Sequence, residues 1–155
     1  MTAIIATILV FGVIGYAIAK NRDIPDSISG ISYIVPHWLF STWLMLVGIL
    51  LMPPMMDALY VTEQWAGFLS IVGLACVASS PYYKTEDVKL HYIGAVVCYI
   101  FANVTVWLIK PSMLVLWLTY VVLFPLIDRK KWLLYCELCC FMILILTLLT
   151  NGKQV

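Results

Sequence analysis

The sequence predicts an all-α fold, a bundle of six transmembrane helices forming a single domain over residues 1–155. Three observations predict it. The chain is 64% hydrophobic and only 11% charged, with a mean hydropathy of +1.03, whereas soluble domains run near about 45–50% apolar and about 25% charged. A globule of this size leaves a large share of its surface in solvent and could not hide so much apolar area. The apolar residues also fall into stretches close to the roughly 20 that cross about 30 Å of hydrocarbon, and the breaks between them are short and rich in proline and charge. The same composition excludes a soluble enzyme, a disordered tail and a nucleic-acid module. A net charge of +1 and a pI near 7.6 speak for no polyanionic partner.

The first stretch covers residues 3–19 and is closed by Lys20, Asn21, Arg22 and Asp23. Ala17-Ile18-Ala19 has the form of a signal-peptidase site, but the positive charge follows the apolar run instead of preceding it, so a retained span is expected. The second covers residues 31–52, starting at Ile31 or at Pro36, with Pro53, Pro54 and Asp57 marking its end. The third, 65–80, is closed by Pro81. The fourth, 90–109, is parted from the fifth, 112–127, by only Lys110 and Pro111, and the sixth runs over 132–150. Several of these are short, which suits nearly upright helices or a locally thin bilayer. Pro54-Met55-Met56-Asp57 and Pro125-Leu126-Ile127-Asp128 occupy matching positions, readable as an inverted repeat or simply as two helix exits.

With six spans, one side of the membrane receives Lys20, Arg22, Lys84, Lys89, Arg129, Lys130 and Lys131, and the other only Lys110 and Lys153. The basic side is expected to be cytoplasmic, which puts both termini outside and the chain in an inner membrane. Aromatic belts fit that arrangement: Tyr33, Trp38, Tyr82, Tyr83, Tyr92 and Trp132 at the inner interface, and Tyr60, Trp65 and Trp107 at the outer one. Trp43, Tyr99, Trp117 and Tyr120 fall deeper and are expected between helices.

Ionisable side chains inside a span are costly, and so are usually functional or paired. Glu137 lies about five residues into the last stretch, roughly 7–8 Å deep. His37 and His91 open the second and fourth stretches at the same predicted depth, and Asp87 approaches it from the preceding loop. A shared cytoplasm-facing pocket of His37, His91, Glu137, Asp87 and Asn103 is one reading. The other leaves the histidines wetted at the interface and Glu137 reaching the water or paired with Lys130 or Lys131. The segment 25–30 within the loop 20–32 has two readings as well: a turn that caps the second helix, or a segment folded back so that Asp26, Ser27 and Ser29 line the mouth of a site. On the fourth helix His91, Gly94 or Ala95, Cys98, Ala102 and Thr105 recur at helical spacing, a narrow small-residue face that allows close helix approach. Asn103 lies on another face and needs a partner on a neighbouring helix.

Cys76, Cys98, Cys136, Cys139 and Cys140 all fall within spans, where thiols behave as small hydrophobes. Without a second CxxC or an HxxxH pair, no metal site and no cofactor is expected.

The run Ile24-Pro25-Asp26-Ser27-Ile28-Ser29, with Trp38-Leu39-Phe40, Leu51-Met52-Pro53 and Lys89-Leu90-His91-Tyr92-Ile93-Gly94-Ala95, resembles small multi-pass membrane proteins of gut Bacteroidetes and their phages. That resemblance covers about the first two-thirds of the chain; it implies a bacterial or phage origin and no particular chemistry. His37, His91, Asp87 and Ser79 or Ser80 also look like the intramembrane His, Asp and Ser set of alkaline ceramidase-like hydrolases. The chain departs from that family in having six spans and two histidines, so the zinc site is not carried over.

These readings order the functional classes. A protein that binds or moves a small molecule or lipid through the polar pocket comes first. A structural or regulatory partner of another membrane protein, homo-oligomers and phage–host factors included, comes second, and a membrane-embedded lipid hydrolase third.

Overall fold

The computed structural model describes residues 1–83, 88–117, 120, 122 and 130–151. Its helices are α1 (Thr2–Asn21), α2 (His37–Ala58), α3 (Gln64–Tyr83), α4 (Val88–Ile109) and α5 (Trp132–Thr150), with short 3₁₀ turns at Ser29–Tyr33, Val61–Glu63 and Pro111–Met113. Among the described residues, these five helices are long and apolar enough to cross a membrane. Residues 114–117 are helical, but most of the stretch 112–127 lies outside the described residues. So do Asp87, Lys84, Arg129, Lys153 and the run Pro125 to Asp128.

The helix boundaries depart from the sequence expectation at prolines. The second stretch was expected over 31–52, yet residues 29–33 form a 3₁₀ turn, and α2 starts only after Pro36 and runs through Pro53 and Pro54 to Ala58. Pro54 to Asp57 is therefore helix and not an exit. α3 likewise passes Pro81 and ends at Tyr83. Proline's fixed φ is itself helical, and its penalty is one lost hydrogen bond and a crowded carbonyl. Where water is absent a helix keeps the rest of its internal bonds, so proline near an end need not stop it. Tyr83 Oη donates to the Cys76 carbonyl one turn before Pro81, and Gln64 Nε2 donates to the Met56 carbonyl at 3.1 Å just beyond the proline pair. α1 stops differently: Arg22 turns left-handed (φ 57°) and its amide closes on the Ile18 carbonyl at 2.8 Å.

Each helix buries one stripe and leaves apolar side chains outside. On α1, Ala3, Ala6, Val10, Ile14 and Ala17 are buried at three- and four-residue spacing, the face of an α-helix, while Ile4, Ile8 and Phe11 are exposed. Ile49, Ile93 and Val96 are over half exposed on other helices. An apolar exterior of this kind is compatible with lipid around it. Hydroxyls inside the helices bond back to carbonyls four residues earlier, as Thr105 does to Phe101 (2.8 Å) and Thr147 to Ile143 (2.7 Å), which keeps them satisfied without water.

α3 and α4 pack antiparallel at van der Waals contact. A Cβ added at Gly73 would meet the Cys98 amide nitrogen at 2.3 Å, and one at Gly94 would meet Cys76 Cβ at 2.5 Å. α2 and α3 are also antiparallel, with Gly48 against Leu74 and Gly67 against Met55 and Met56. Trp43 of α2, buried as expected of a deep aromatic, donates its indole N–H to the Leu9 carbonyl of α1 at 3.0 Å. Tyr99 meets Trp117 edge-on at 5.7 Å, whereas Tyr120 is exposed.

α4 and α5 run parallel. Asn103 approaches Cys140 Sγ at 3.7 Å, and at the far ends Lys110 Nζ donates to Thr150 Oγ1 at 3.2 Å. The start of α5 meets the end of α1, where Lys131 Nζ bridges Asp23 (3.4 Å) and Asp26 (2.9 Å) and donates to the Ile24 carbonyl. One end of the bundle thus carries Lys20, Arg22, Lys89, Lys130 and Lys131, and the other carries Lys110. Tyr33, Trp38, Tyr60, Trp65, Tyr82, Tyr92, Trp107 and Trp132 are all exposed near helix ends, where amphipathic rings sit at the headgroup level.

Candidate ligand-binding cavity

The segment from Ile24 to Val35 folds back onto the bundle instead of arching into solvent. Its apolar residues Ile28, Ile31 and Val35 are buried, which anchors it among the helices. The Leu134 amide donates to the Asp26 carbonyl at 3.2 Å, so the first turn of α5, whose amides have no partner within the helix, finds one in the loop. Ser27 and Ser29 hold the turn together: their hydroxyls lie 3.1 Å apart, and Ser27 Oγ accepts the Gly30 amide at 2.9 Å.

Beneath this loop α2, α3, α4 and α5 line a partly open cavity of about 90 Å³. Its polar groups gather at the loop end: Ser29 from the loop, His91 from the first turn of α4 and Glu137 from the second turn of α5. Along α4 the cavity follows Ala95, Cys98, Tyr99 and Ala102, so it extends about 16 Å from His91 at 1.5 Å per residue. Leucine side chains of α2, α3 and α5 (Leu44, Leu51, Leu74, Leu144) supply most of the opposing wall. Ser70, deep in α3, lines the cavity and lies 3.4 Å from the Cys98 carbonyl.

Glu137 Oε2 accepts the backbone N–H of Ile28 at 2.5 Å. The carboxylate meets this amide and neither Lys130 nor Lys131, contrary to the ion-pair reading; Lys131 is turned instead to the loop carboxylates Asp23 and Asp26. His91 is buried (3% exposed) and meets Tyr92 edge-on at 5.6 Å. Ser29 lines the cavity as the fold-back reading of the loop has it, while Asp26 stays outside with Lys131.

Other candidates stand elsewhere. His37 is exposed at the start of α2, edge-on to Tyr82 at 6.3 Å, and is not among the residues that line the cavity. Asn103 stands beside the cavity wall, donating to the Tyr99 carbonyl (2.8 Å) and toward Cys140 of α5, the neighbouring-helix contact that an amide in lipid requires. Asp87 lies outside the described residues. Cys98 and Cys140 are wall residues, while Cys136 and Cys139 are buried in packing. Among the described residues no group of three His, Cys, Asp or Glu is placed to hold one metal ion. Sequence reasoning missed Ser70, Tyr99 and the Ile28 amide as parts of this site. A mid-span serine three residues before a glycine was a usable signal for Ser70; a backbone amide leaves no signal at all.

Parallel α4 and α5 therefore present an imidazole and a carboxylate to one apolar chamber, roofed by a loop that bonds to the carboxylate. The helices, their apolar exterior and this chamber define a multi-pass membrane protein. Comparison with protein-family models, with curated proteins and with solved structures finds no match.

Proposed function

We propose that this multi-pass protein of an inner membrane binds, or moves, a small molecule or lipid group in the cavity under the Ile24–Val35 loop. One observation carries the reading: His91, Glu137 and Ser29 share one end of a chamber whose remaining wall is almost entirely apolar. Sites for small molecules take this form, an apolar enclosure with a few convergent polar groups. Six spans in one domain, with both termini outside, complete the proposal. α4 ends at Lys110 beside Thr150, and α5 starts at the opposite end beside Asp23, so residues 110–131 must carry the chain back across the bundle. We place the sixth span in that connection, over residues 112–127. The basic end of the bundle, and with it the polar end of the cavity, then faces the cytoplasm.

Filling the chamber tests the binding reading. Ala95→Leu adds bulk to its wall, and native mass spectrometry of protein extracted in mild detergent is expected to show an adduct on wild type that the variant lacks. Identical spectra, together with ligand-induced stabilisation unaltered by the substitution, would sink it.

A second reading, a partner of another membrane protein or a homo-oligomer, is favoured by the outer face of α1. Gly12 and Gly15 are exposed there with open space where a side chain would stand, and small residues on an outer face let a second helix approach closely. Gly15→Leu should then abolish a cross-linked dimer or heteromer while leaving the monomer folded; an unchanged cross-linking pattern removes this reading.

A further inference from the structure

We infer that the Ile24–Val35 loop is a hinged lid on the polar end of the cavity, and that peeling it from α5 opens that end to the cytoplasm. This rests on the cavity-binding reading above and adds what controls access to the site. Three links tie the loop to the start of α5, in steps of three residues. The Lys131 ammonium meets Asp23, Asp26 and the Ile24 carbonyl. The Leu134 amide donates to the Asp26 carbonyl at 3.2 Å. The Glu137 carboxylate accepts the Ile28 amide. Residues three apart are neighbours on a helix surface, so the loop lies along the first two turns of α5 as a row of links.

The row grades from weak to strong. Its outer link uses Asp23 and Asp26, both exposed, and ion pairs open to water hold little. Its inner link sets the amide of buried Ile28 on Glu137, and a buried amide is expensive to leave unbonded. Opening therefore starts at Lys131 and ends at Glu137.

The loop can swing without unwinding a helix. At one end Arg22 is left-handed (φ 57°) and closes α1; at the other Pro36 is extended (ψ 139°) and starts α2. A few residues at element ends suffice to absorb a hinge rotation. The helical wall has no such freedom between α3 and α4, where Gly73 sets backbone on backbone. Beneath the loop lies the polar end of the cavity. Ser29 comes from the loop itself, Glu137 carries the last link, and His91 is buried. His37 stands exposed at the start of α2.

The two histidines make the test internal. Exchange of the imidazole C2 hydrogen in deuterated buffer needs water at the ring, and mass spectrometry reads His37 and His91 separately. The full chain is held in phosphatidylcholine nanodiscs, and amide exchange of the loop is measured on the same samples. In wild type, His91 is expected to exchange at least about tenfold slower than His37. Lys131→Ala removes the outer link, and Ile31→Ala trims a buried anchor of the loop that carries no charge. Each should speed the loop amides and His91 together, by about threefold or more, and leave His37 unchanged. The lid is overturned if the loop amides accelerate while His91 keeps its wild-type rate, or if His91 matches His37 before any substitution. It is overturned too if the loop amides keep their wild-type rate in Lys131→Ala, since the row of links then holds nothing. None of these results touches cavity binding, which Ala95→Leu decides by its own adduct readout. If that readout fails while His91 still follows the loop, the ligand is removed and the lid stands.

Discussion

The two faces of α4 solve opposite problems with the same kinds of residue. Toward α3, Gly94 and Cys98 bring backbone against backbone at Gly73, with no room for a single added carbon. Toward α5, Ala95, Cys98 and Ala102 leave a chamber because α5 stands off and the gap is roofed by a loop. Small side chains thus make a seam where the partner helix also offers glycine, and a cavity where the partner offers Phe141, Leu144 and a carboxylate. The seam is held by dispersion over many atoms. The cavity side is held by a few named bonds, from Ile28 to Glu137 and from Lys131 to Asp23 and Asp26.

The largest effect should come from closing that difference at the seam. Gly73→Ala puts a carbon within 2.3 Å of the Cys98 nitrogen, and backbone cannot swing aside as a side chain can, so a loss of about 1–3 kcal/mol or more is expected. Gly48→Ala meets the flexible tip of Leu74 at 3.2 Å and Ile71 at ordinary contact distance, and Gly12→Ala meets nothing within 4 Å; both should stay within about 1 kcal/mol of wild type. Reversible unfolding in mixed micelles ranks the three. Equal losses at Gly73 and Gly12 would mean that the seam is not close-packed.

On the cavity side Glu137→Leu removes the acceptor of a buried amide and should cost about 1–3 kcal/mol. Glu137→Gln keeps an acceptor oxygen and should cost less. Hydrogen exchange at the Ile28 amide separates them, faster in the leucine variant and close to wild type in the glutamine one. If both variants exchange alike, the bond to Ile28 does not hold the loop.

A smaller effect is expected at the latch. Lys131→Ala releases Asp23 and Asp26, so the loop amides from Ile24 to Val35 should exchange faster while the helices keep their protection. Uniform acceleration across α5 would instead show that Lys131 supports the helix and not the loop.

The smallest concerns pH. The Ile24 amide and then the Lys131 ammonium hold the Asp23 carboxyl below its ordinary 3.8, and Asp26 chiefly, with Asp23, holds Lys131 above its ordinary 10.5. The depressed acid contributes above its ordinary value, and that contribution fades as pH falls through the lower folded value. The raised base contributes below its ordinary value and fades as pH rises through the higher one. Proteolysis of the loop should therefore be flat through neutral pH and quicken only at the extremes; a step near neutrality would assign the latch to another group.

Much of this architecture is legible in the chain. Long apolar runs bounded by charge show where helices lie, because a backbone in hydrocarbon has to satisfy itself internally. Trp132 to Thr150 is read off directly. Proline misleads at residues 53, 54 and 81, since the stop rule is learned from helices with water to take the freed carbonyls. At the site, the depth of His91 and Glu137 is legible from their distance into a span. That they line one cavity is not, because azimuth depends on helix packing, and an apolar helix in lipid carries almost no sidedness in its pattern.

His37 makes the same point from the other direction. Its depth resembles that of His91, yet it stands exposed beside Tyr82, because the 3₁₀ turn Ser29–Tyr33 and the Pro36 cap delay the start of α2.

By itself, then, the sequence determined the solvent, the helical class, the basic end and the short list of polar groups near it. These follow from composition and from the transfer cost of charge into hydrocarbon. The tertiary structure decided which of those groups meet. For His91 and Glu137 to line one chamber, α4 and α5 must run parallel, α3 and α4 close on Gly73, and a loop from the other end of the chain bond with Glu137. Each of these joins residues far apart in sequence, and local pattern carries no record of them.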